Sequence, residues 1–233
     1  MKTIFKLLIF NFFHFWAAAQ VPTSERSRQV VKRLSPILQS EFANKNLKWG
    51  SPVFIRIFKE SDKLELWVRA KKEYSLFKAY NACYFSGKLG PKTKEGDNQA
   101  PEGFYEVRPK QLNPSSNYHL AFNLGYPNKY DQSHSYSGSA LMVHGNCVSI
   151  GCYAMTDERI EEIYTLMQTA FENGQKAIPV HCFPFEMTKK QLEKRKDNKH
   201  FDFWINLSVG YEAFEQTHLP PTVNVKQMKY VFE

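Results

Sequence analysis

Ser139 to Met155, reading SALMVHGNCVSIGCYAM, places an imidazole and a thiol where they could react as a pair. Ala140 to Val143 is an apolar run of buried-strand length. His144 and Gly145 end it, and Gly151 and Cys152 follow. A histidine leaving a strand and a cysteine behind a glycine can face one another across a short loop. A free thiol has a pKa near ~8.5 and is only slightly ionised at neutral pH. A neighbouring imidazole can take its proton, hold the thiolate as an ion pair and later return the proton to a leaving amine. Gly151 lets the backbone approach a substrate closely. The N–H groups of Gly151, Cys152 and Tyr153 are then candidate donors to an oxyanion, with Gly145 and Ser149 supporting the turn.

Spacing alone leaves other readings open. His144, Cys147, Cys152, His181 and Cys182 could ligate a metal, yet H-x2-C-x4-C with a distant His-Cys pair matches no zinc pattern. Buried cysteines also serve simply as small hydrophobes.

The stretch resembles the active-site motif of the YkuD-type L,D-transpeptidase catalytic domain, a strand ending in H-G followed by S-H-G-C. Its counterparts here are His144-Gly145 and Ser149-Ile150-Gly151-Cys152. Within that family the short loop and the C-Y-A-M sequence are similar to the YafK-like murein branch. Gly96-Asp97, Ala100-Pro101-Glu102-Gly103-Phe104-Tyr105 and Phe122 to Asn128 fit as well. The resemblance implies that Cys152 is the nucleophile and His144 the general base, and that no cofactor is needed. It also implies a peptidoglycan stem-peptide substrate. The chain departs from the common pattern in two places. Ile150 stands where a second histidine is usual, and Tyr153, Ala154 and Met155 replace a following arginine that would suit a substrate carboxylate.

The elements that must position this pair follow from periodicity. A helix is expected from Thr23 to about Phe42, with Val30, Val31, Leu34, Ile37 and Leu38 on one stripe. Strands are expected at Val53–Phe58, Leu64–Val68, Tyr74–Tyr80, Phe104–Val107, Tyr118–Asn123 and Ile178–Phe185. Ser86 to Gly103 reads as a long loop framing a site. Tyr126 to Gly138 is a polar, aromatic loop whose Tyr130, His134 and Tyr136 are candidate substrate contacts, His134 being also a rival base. Thr156 should cap a helix that Gly174 ends. The tail should form a basic helix at Thr188–Lys196 and an aromatic one at Phe201–Gln216.

The expected fold is α+β, a mostly β catalytic core of mixed-sandwich type with helical additions at both ends. The expected divisions are a signal peptide over 1–19, an N-terminal helical segment over 20–50, the catalytic domain over 51–185 and a helical extension over 186–233. The opening MKTIFKLLIFNFFHFWAAAQ has a Lys2/Lys6 n-region, an apolar stretch and an A-x-A site at Ala17 to Ala19. It is too short for a comfortable membrane span, and a retained anchor is the competing reading.

The formal net charge is +8. Residues 1–19 hold Lys2, Lys6 and no acid, so the remainder carries +6, a balance suited to anionic surfaces. No nucleic-acid motif accompanies it. The four cysteines are too few for a disulfide scaffold. With Cys152 as nucleophile, at least one of Cys83, Cys147 and Cys182 is unpaired within the molecule. A Cys147–Cys152 bridge, a resolving role for Cys147 and a buried structural Cys147 all fit.

The expected function is an envelope-exported, periplasmic cysteine acyltransferase. A thioester on Cys152 would be resolved by an amine of another stem, by a protein lysine that anchors a wall-attached protein, or by water. Water would make the chain an L,D-endopeptidase or amidase. A wall-binding module without turnover and a zinc or redox thiol protein are the readings from other classes.

Overall fold

The structure, a computed structural model, describes residues 20–149 and 151–233. The expected signal peptide lies outside the described residues. Helix α1 (Glu25–Asn44) begins at Ser24, whose hydroxyl accepts from the Ser27 N–H in a capping box. Val30, Leu34, Leu38 and Phe42 recur every fourth residue and form its buried stripe. Ile37, expected on that stripe, is 54% exposed. The helix packs on one neighbouring helix, so its buried face is narrow.

Strands β1 (Val53–Phe58), β2 (Lys63–Ala70) and β3 (Glu73–Asn81) form a meander. After the two-residue strand β4 (Tyr84–Phe85) come β5 (Gly103–Val107), β6 (Leu112–Asn113) and β7 (Ala121–Asn123). The loop expected over Tyr126 to Gly138 contains a short helix, α2 (Lys129–Ser133), capped by Asn128. Strands β8 (Met142–His144) and β9 (Tyr153–Ala154) carry the motif. Helix α3 (Asp157–Glu172) is capped by Thr156, and β10 (Ile178–Phe183) follows.

Two five-stranded sheets result. The first has the order β3-β2-β1-β10-β5, with β1 and β10 parallel; the second has the order β4-β9-β8-β7-β6, with β8 and β9 parallel. Every residue of β1 is buried, as expected of a central strand covered on both faces. Its Arg56 pairs with Glu215 at 2.6 Å through one guanidinium nitrogen and lies over the rings of Phe58, Tyr211 and Phe214. Helix α3 packs against α1, β1, β7 and β8 and so braces the motif strand.

The tail differs from expectation. Helices α4 (Lys189–Glu193) and α5 (Phe201–Thr217) form, but the chain ends in a hairpin of β11 (Val223–Lys226) and β12 (Lys229–Phe232). Gln227 and Met228 make its turn, both with positive φ, the geometry that matches strand twist in a two-residue hairpin. The aromatic face of α5 turns inward: Trp204, Leu207 and Tyr211 join Phe58, Phe183 and Tyr230 in a second core. No helix among the described residues is long and apolar enough to cross a membrane.

A buried polar knot fastens the tail. Glu102 Oε1 pairs with Lys59 Nζ at 3.0 Å and accepts the Gly90 N–H at 2.7 Å, while its Oε2 accepts the Trp204 Nε1–H at 3.0 Å. Neither charged side chain is exposed. Removing one partner of such a pair strands a buried charge, which costs about 3–5 kcal/mol. Glu102→Ala should lower the unfolding free energy by about that amount in urea titration, and a loss under about 1 kcal/mol would show that the pair is not a structural tie.

Candidate active site

Parallel pairing of β8 with β9 sets Val143 beside Tyr153 and His144 beside Ala154. Cys152 immediately precedes β9, and its Sγ accepts the Met142 N–H at 3.4 Å at the start of β8. His144 stands two residues further along, about 7 Å of strand.

The connecting loop is held from several sides. Gly145 donates to the carbonyls of Tyr118 and Leu120 at 3.0 and 3.2 Å. A Cβ at Gly145 would lie 2.5 Å from Asp157 Oδ1, so packing rather than backbone freedom demands glycine there. Asp157, the first residue of α3, accepts the Asn146 N–H at 2.8 Å. Cys147 forms a disulfide with Cys83, and both residues donate backbone N–H groups to the β9 exit, at Met155 and Ala154. Of the three readings left open for Cys147, the bridge to Cys152 and the resolving role are excluded, because Cys147 is committed to Cys83 and Cys152 is free, and Cys147 is exposed rather than buried. The metal reading loses Cys147 in the same way, and no metal-binding cluster of three or more His, Cys, Asp or Glu groups occurs among the described residues.

His144 is buried and its Nδ1 lies 2.7 Å from the Gly145 carbonyl. A carbonyl only accepts, so Nδ1 carries the hydrogen and Nε2 presents the lone pair. The Tyr118 ring packs on the imidazole, with centroids 4.7 Å apart. Burial pushes the His144 pKa down against the opposing effect of the Gly145 carbonyl. Burial pushes the Cys152 thiol up, opposed by the Met142 N–H and the Lys92 charge. Both directions favour a resting pair of neutral imidazole and neutral thiol rather than the ion pair anticipated from sequence.

Gly151 has φ +133° and a Cβ there would meet nothing within 4 Å, so the backbone requires glycine and the space before Cys152 is open. Its N–H donates to Ser86 Oγ at 2.5 Å, and the Cys152 N–H donates to Ser149 Oγ at 2.8 Å. Ser149 Oγ also donates to the Cys152 carbonyl, and the two serine hydroxyls are 2.8 Å apart. One arrangement satisfies every group, with Ser86 donating to Ser149. Ser86, Lys92 and Tyr118 were not singled out from sequence. Ser86 and Lys92 lie in the β4–β5 loop and Tyr118 in the β6–β7 loop, and no local spacing links them to the motif.

The candidate substrate contacts are placed differently from one another. Tyr130 is buried and stacks on Tyr230 at 4.4 Å, so it belongs to the second core. His134 stacks on Tyr130 at 4.2 Å with its Nδ1 on the Tyr130 carbonyl, and half-buried Tyr136 lies beyond it at 5.3 Å. Tyr153 is buried, its hydroxyl donating to the Pro101 carbonyl. His181 sits between the edges of Phe54 and Phe104, with its pKa driven well down by burial, and Cys182 is pushed up to about 12. Neither suits chemistry at neutral pH.

Residues 52–182 match the family model described as the YkuD L,D-transpeptidase catalytic domain. This chain belongs to the L,D-transpeptidase family. It is 48% identical over 182 residues, 78% of this chain and 74% of the relative, to a protein of Escherichia coli (strain K12) that bears the provisional name L,D-transpeptidase YafK. A YafK of the same provisional name from E. coli O157:H7 matches equally. Among solved structures it is similar to the helical cell shape determining protein Pgp2 from Campylobacter jejuni (TM-score 0.47, 16% identity, 86% of this chain and 80% of that one). L,D-transpeptidase 1 of Mycobacterium tuberculosis is more distant (TM-score 0.32, 11% identity, 57% of this chain and 62% of that one). As an L,D-transpeptidase family member, the chain falls in a class of enzymes whose field of action is peptidoglycan.

A buried carboxyl group elsewhere in the chain titrates in an unusual range. Asp131 of α2 is buried and accepts from the Asn128 N–H at 2.9 Å and the Tyr105 hydroxyl at 3.2 Å. Burial raises its pKa to about 7. The folded protein thus keeps a proton that the unfolded chain releases near ~3.9. The stability this group contributes is complete below that value and is lost as the pH rises to about 7. Asp131→Asn does not titrate. Its unfolding free energy relative to wild type should therefore improve by about 2–3 kcal/mol between pH 5 and pH 8, read from paired denaturation curves. A pH-independent difference would place the Asp131 pKa back in the ordinary range.

Proposed function

We propose that the chain is an exported enzyme that moves acyl groups of peptidoglycan stem peptides through a thioester on Cys152, with His144 as base and then acid. The observation that carries this reading is the Nδ1–Gly145 carbonyl hydrogen bond. It leaves Nε2 of a buried, neutral histidine to act as base, on the strand that neighbours the only solvent-reachable free thiol among the described residues.

In the reaction, Nε2 takes the Cys152 proton as sulfur attacks the carbonyl carbon at an L-to-D junction. The tetrahedral intermediate collapses by breaking the C–N bond, and the imidazolium gives its proton to the departing amine. The oxyanion draws on the N–H groups of Gly151, Cys152 and Tyr153. Ser86 and Ser149 hold two of these donors in the resting chain, and a full oxyanion is the stronger acceptor. An amine of a second stem resolves the thioester into a cross-link, and a protein lysine resolves it into an anchored protein. No metal or organic cofactor takes part in these steps. The Cys83–Cys147 disulfide supports export, because such bonds persist in oxidising compartments. The signal pattern before it supports the same periplasmic or envelope location, in keeping with a part in wall building or cell shape.

A second reading, hydrolysis of stem-peptide or protein–peptidoglycan links, uses the same thioester with water as acceptor. It is favoured by one observation: Tyr153, Ala154 and Met155 supply no guanidinium to hold a substrate carboxylate.

Incubation with purified peptidoglycan, with and without covalently attached protein, followed by mass spectrometry of the products separates these readings. Cross-linked dimers or exchange of a terminal D-residue are expected for transfer, and shortened stems or released protein for hydrolysis. Both products should fall at least ~10²-fold in His144→Ala and disappear in Cys152→Ala. Binding without any product would make the chain a wall-binding module. Activity that survives Cys152→Ala would remove the nucleophile.

A further inference from the structure

The wall of the Cys152 cleft is a short segment, Gly138 to Ala140, whose Ala140 carbonyl lies 3.9 Å from Sγ. A second loop is fastened to this segment. Ser137 donates its N–H to the Thr93 carbonyl at 3.2 Å, and Glu95 donates its N–H to Ser137 Oγ at 3.2 Å. Between them runs the side chain of Lys92, only 4% exposed. A Cβ at Gly138 would fall 2.8 Å from Lys92 Cε and 3.7 Å from Nζ, and Gly138 has φ +134°, so both space and backbone reserve that place for the lysine.

The ammonium donates to Asp97 Oδ1 at 2.6 Å and to the Lys94 carbonyl at 2.9 Å. Asp97 is fixed in turn by the N–H groups of Thr93, Lys94 and Gln99. These partners use two of the three ammonium protons. The charged or titratable groups shown about this corner are Asp97 on the ammonium, Lys94, whose carbonyl accepts from it, Glu95, whose N–H reaches Ser137, and Tyr126, whose hydroxyl donates to the Lys92 carbonyl.

We propose that Lys92, held by Asp97 against the Gly138–Ala140 segment, is a positioning residue that stabilises negative charge on Cys152. It supplies fixed positive charge to a cleft whose residues after the cysteine carry none. The inference rests on Cys152 being the reacting thiol of the proposed reaction. The direction of the Lys92 effect on the thiol, downward against burial, agrees with it. Asp97 partly neutralises the ammonium, so the two residues act on Cys152 with opposite sign.

The test is the pH profile of Cys152 alkylation by iodoacetamide in the folded, disulfide-intact protein, with Cys152→Ala as the blank. Lys92→Met should raise the midpoint by about 0.5–1 pH unit, Lys92→Arg should leave it near wild type, and Asp97→Asn should lower it. Lys92→Gln replaces Lys92→Met if the latter does not fold. A merely structural role would loosen the loop in every variant and move all midpoints the same way. That outcome, or an unchanged midpoint in the folded lysine variant, overturns the proposal. Because the probe reacts with the thiol alone, a failure on peptidoglycan would leave the result standing.

Discussion

The site depends on one unusual connection. Strands β8 and β9 are parallel neighbours, yet only residues 145–152 join them. Parallel neighbours ordinarily need a crossover of a dozen residues or more. The short link succeeds because the strands are three and two residues long, so the chain has little distance to retrace. It still has to turn sharply, and Asn146, Cys147 and Gly151 all take positive φ. Backbone held in such regions persists only where the surroundings over-determine it. The Asp157 carboxylate, the Cys83 disulfide and the Ser86–Ser149 hydroxyl pair are those surroundings.

From this constraint the chemistry follows. Parallel register puts the histidine at the end of one strand and the cysteine just before its neighbour, and the tight turn after β8 brings the Gly145 carbonyl onto Nδ1. Burial by α3 and the two sheets then disfavours charge on both groups. In the proposed reaction a neutral pair would guard the thiol until a substrate arrives, and the charge that develops on attack would be met by fixed donors on the loops packed around the motif.

How much of this could be read from the residues depends on the length scale of each element. β1 was legible to the residue, because VFIRIF is apolar but for Arg56 and rich in β-branched and aromatic residues, and α3 was legible from its Thr156 cap and apolar period. β4, β6 and β9 have two residues each, and a period cannot show itself in two residues. The β11–β12 hairpin was missed because Gln227-Met228 is not a turn sequence that announces itself. His144 and Cys152 stood out because motif, loop and glycine lie within one continuous stretch. Their supports did not: Cys83 is 64 residues from Cys147, and Ser86 is 65 from Gly151. Contacts that distant in sequence leave no local pattern. Tyr130 was misjudged because its loop is polar, whereas its ring is claimed by Tyr230 from the far end of the chain.

The central claim is that Cys152 carries an acyl group during turnover. Rapid acid quench of the protein with a purified stem peptide, followed by intact mass measurement and peptide mapping, tests it directly. The account predicts an added acyl mass on the peptide containing Cys152, lost on treatment with a strong amine nucleophile and absent in Cys152→Ala. Product formation with no adduct on Cys152, or an adduct mapped to another residue, would contradict it.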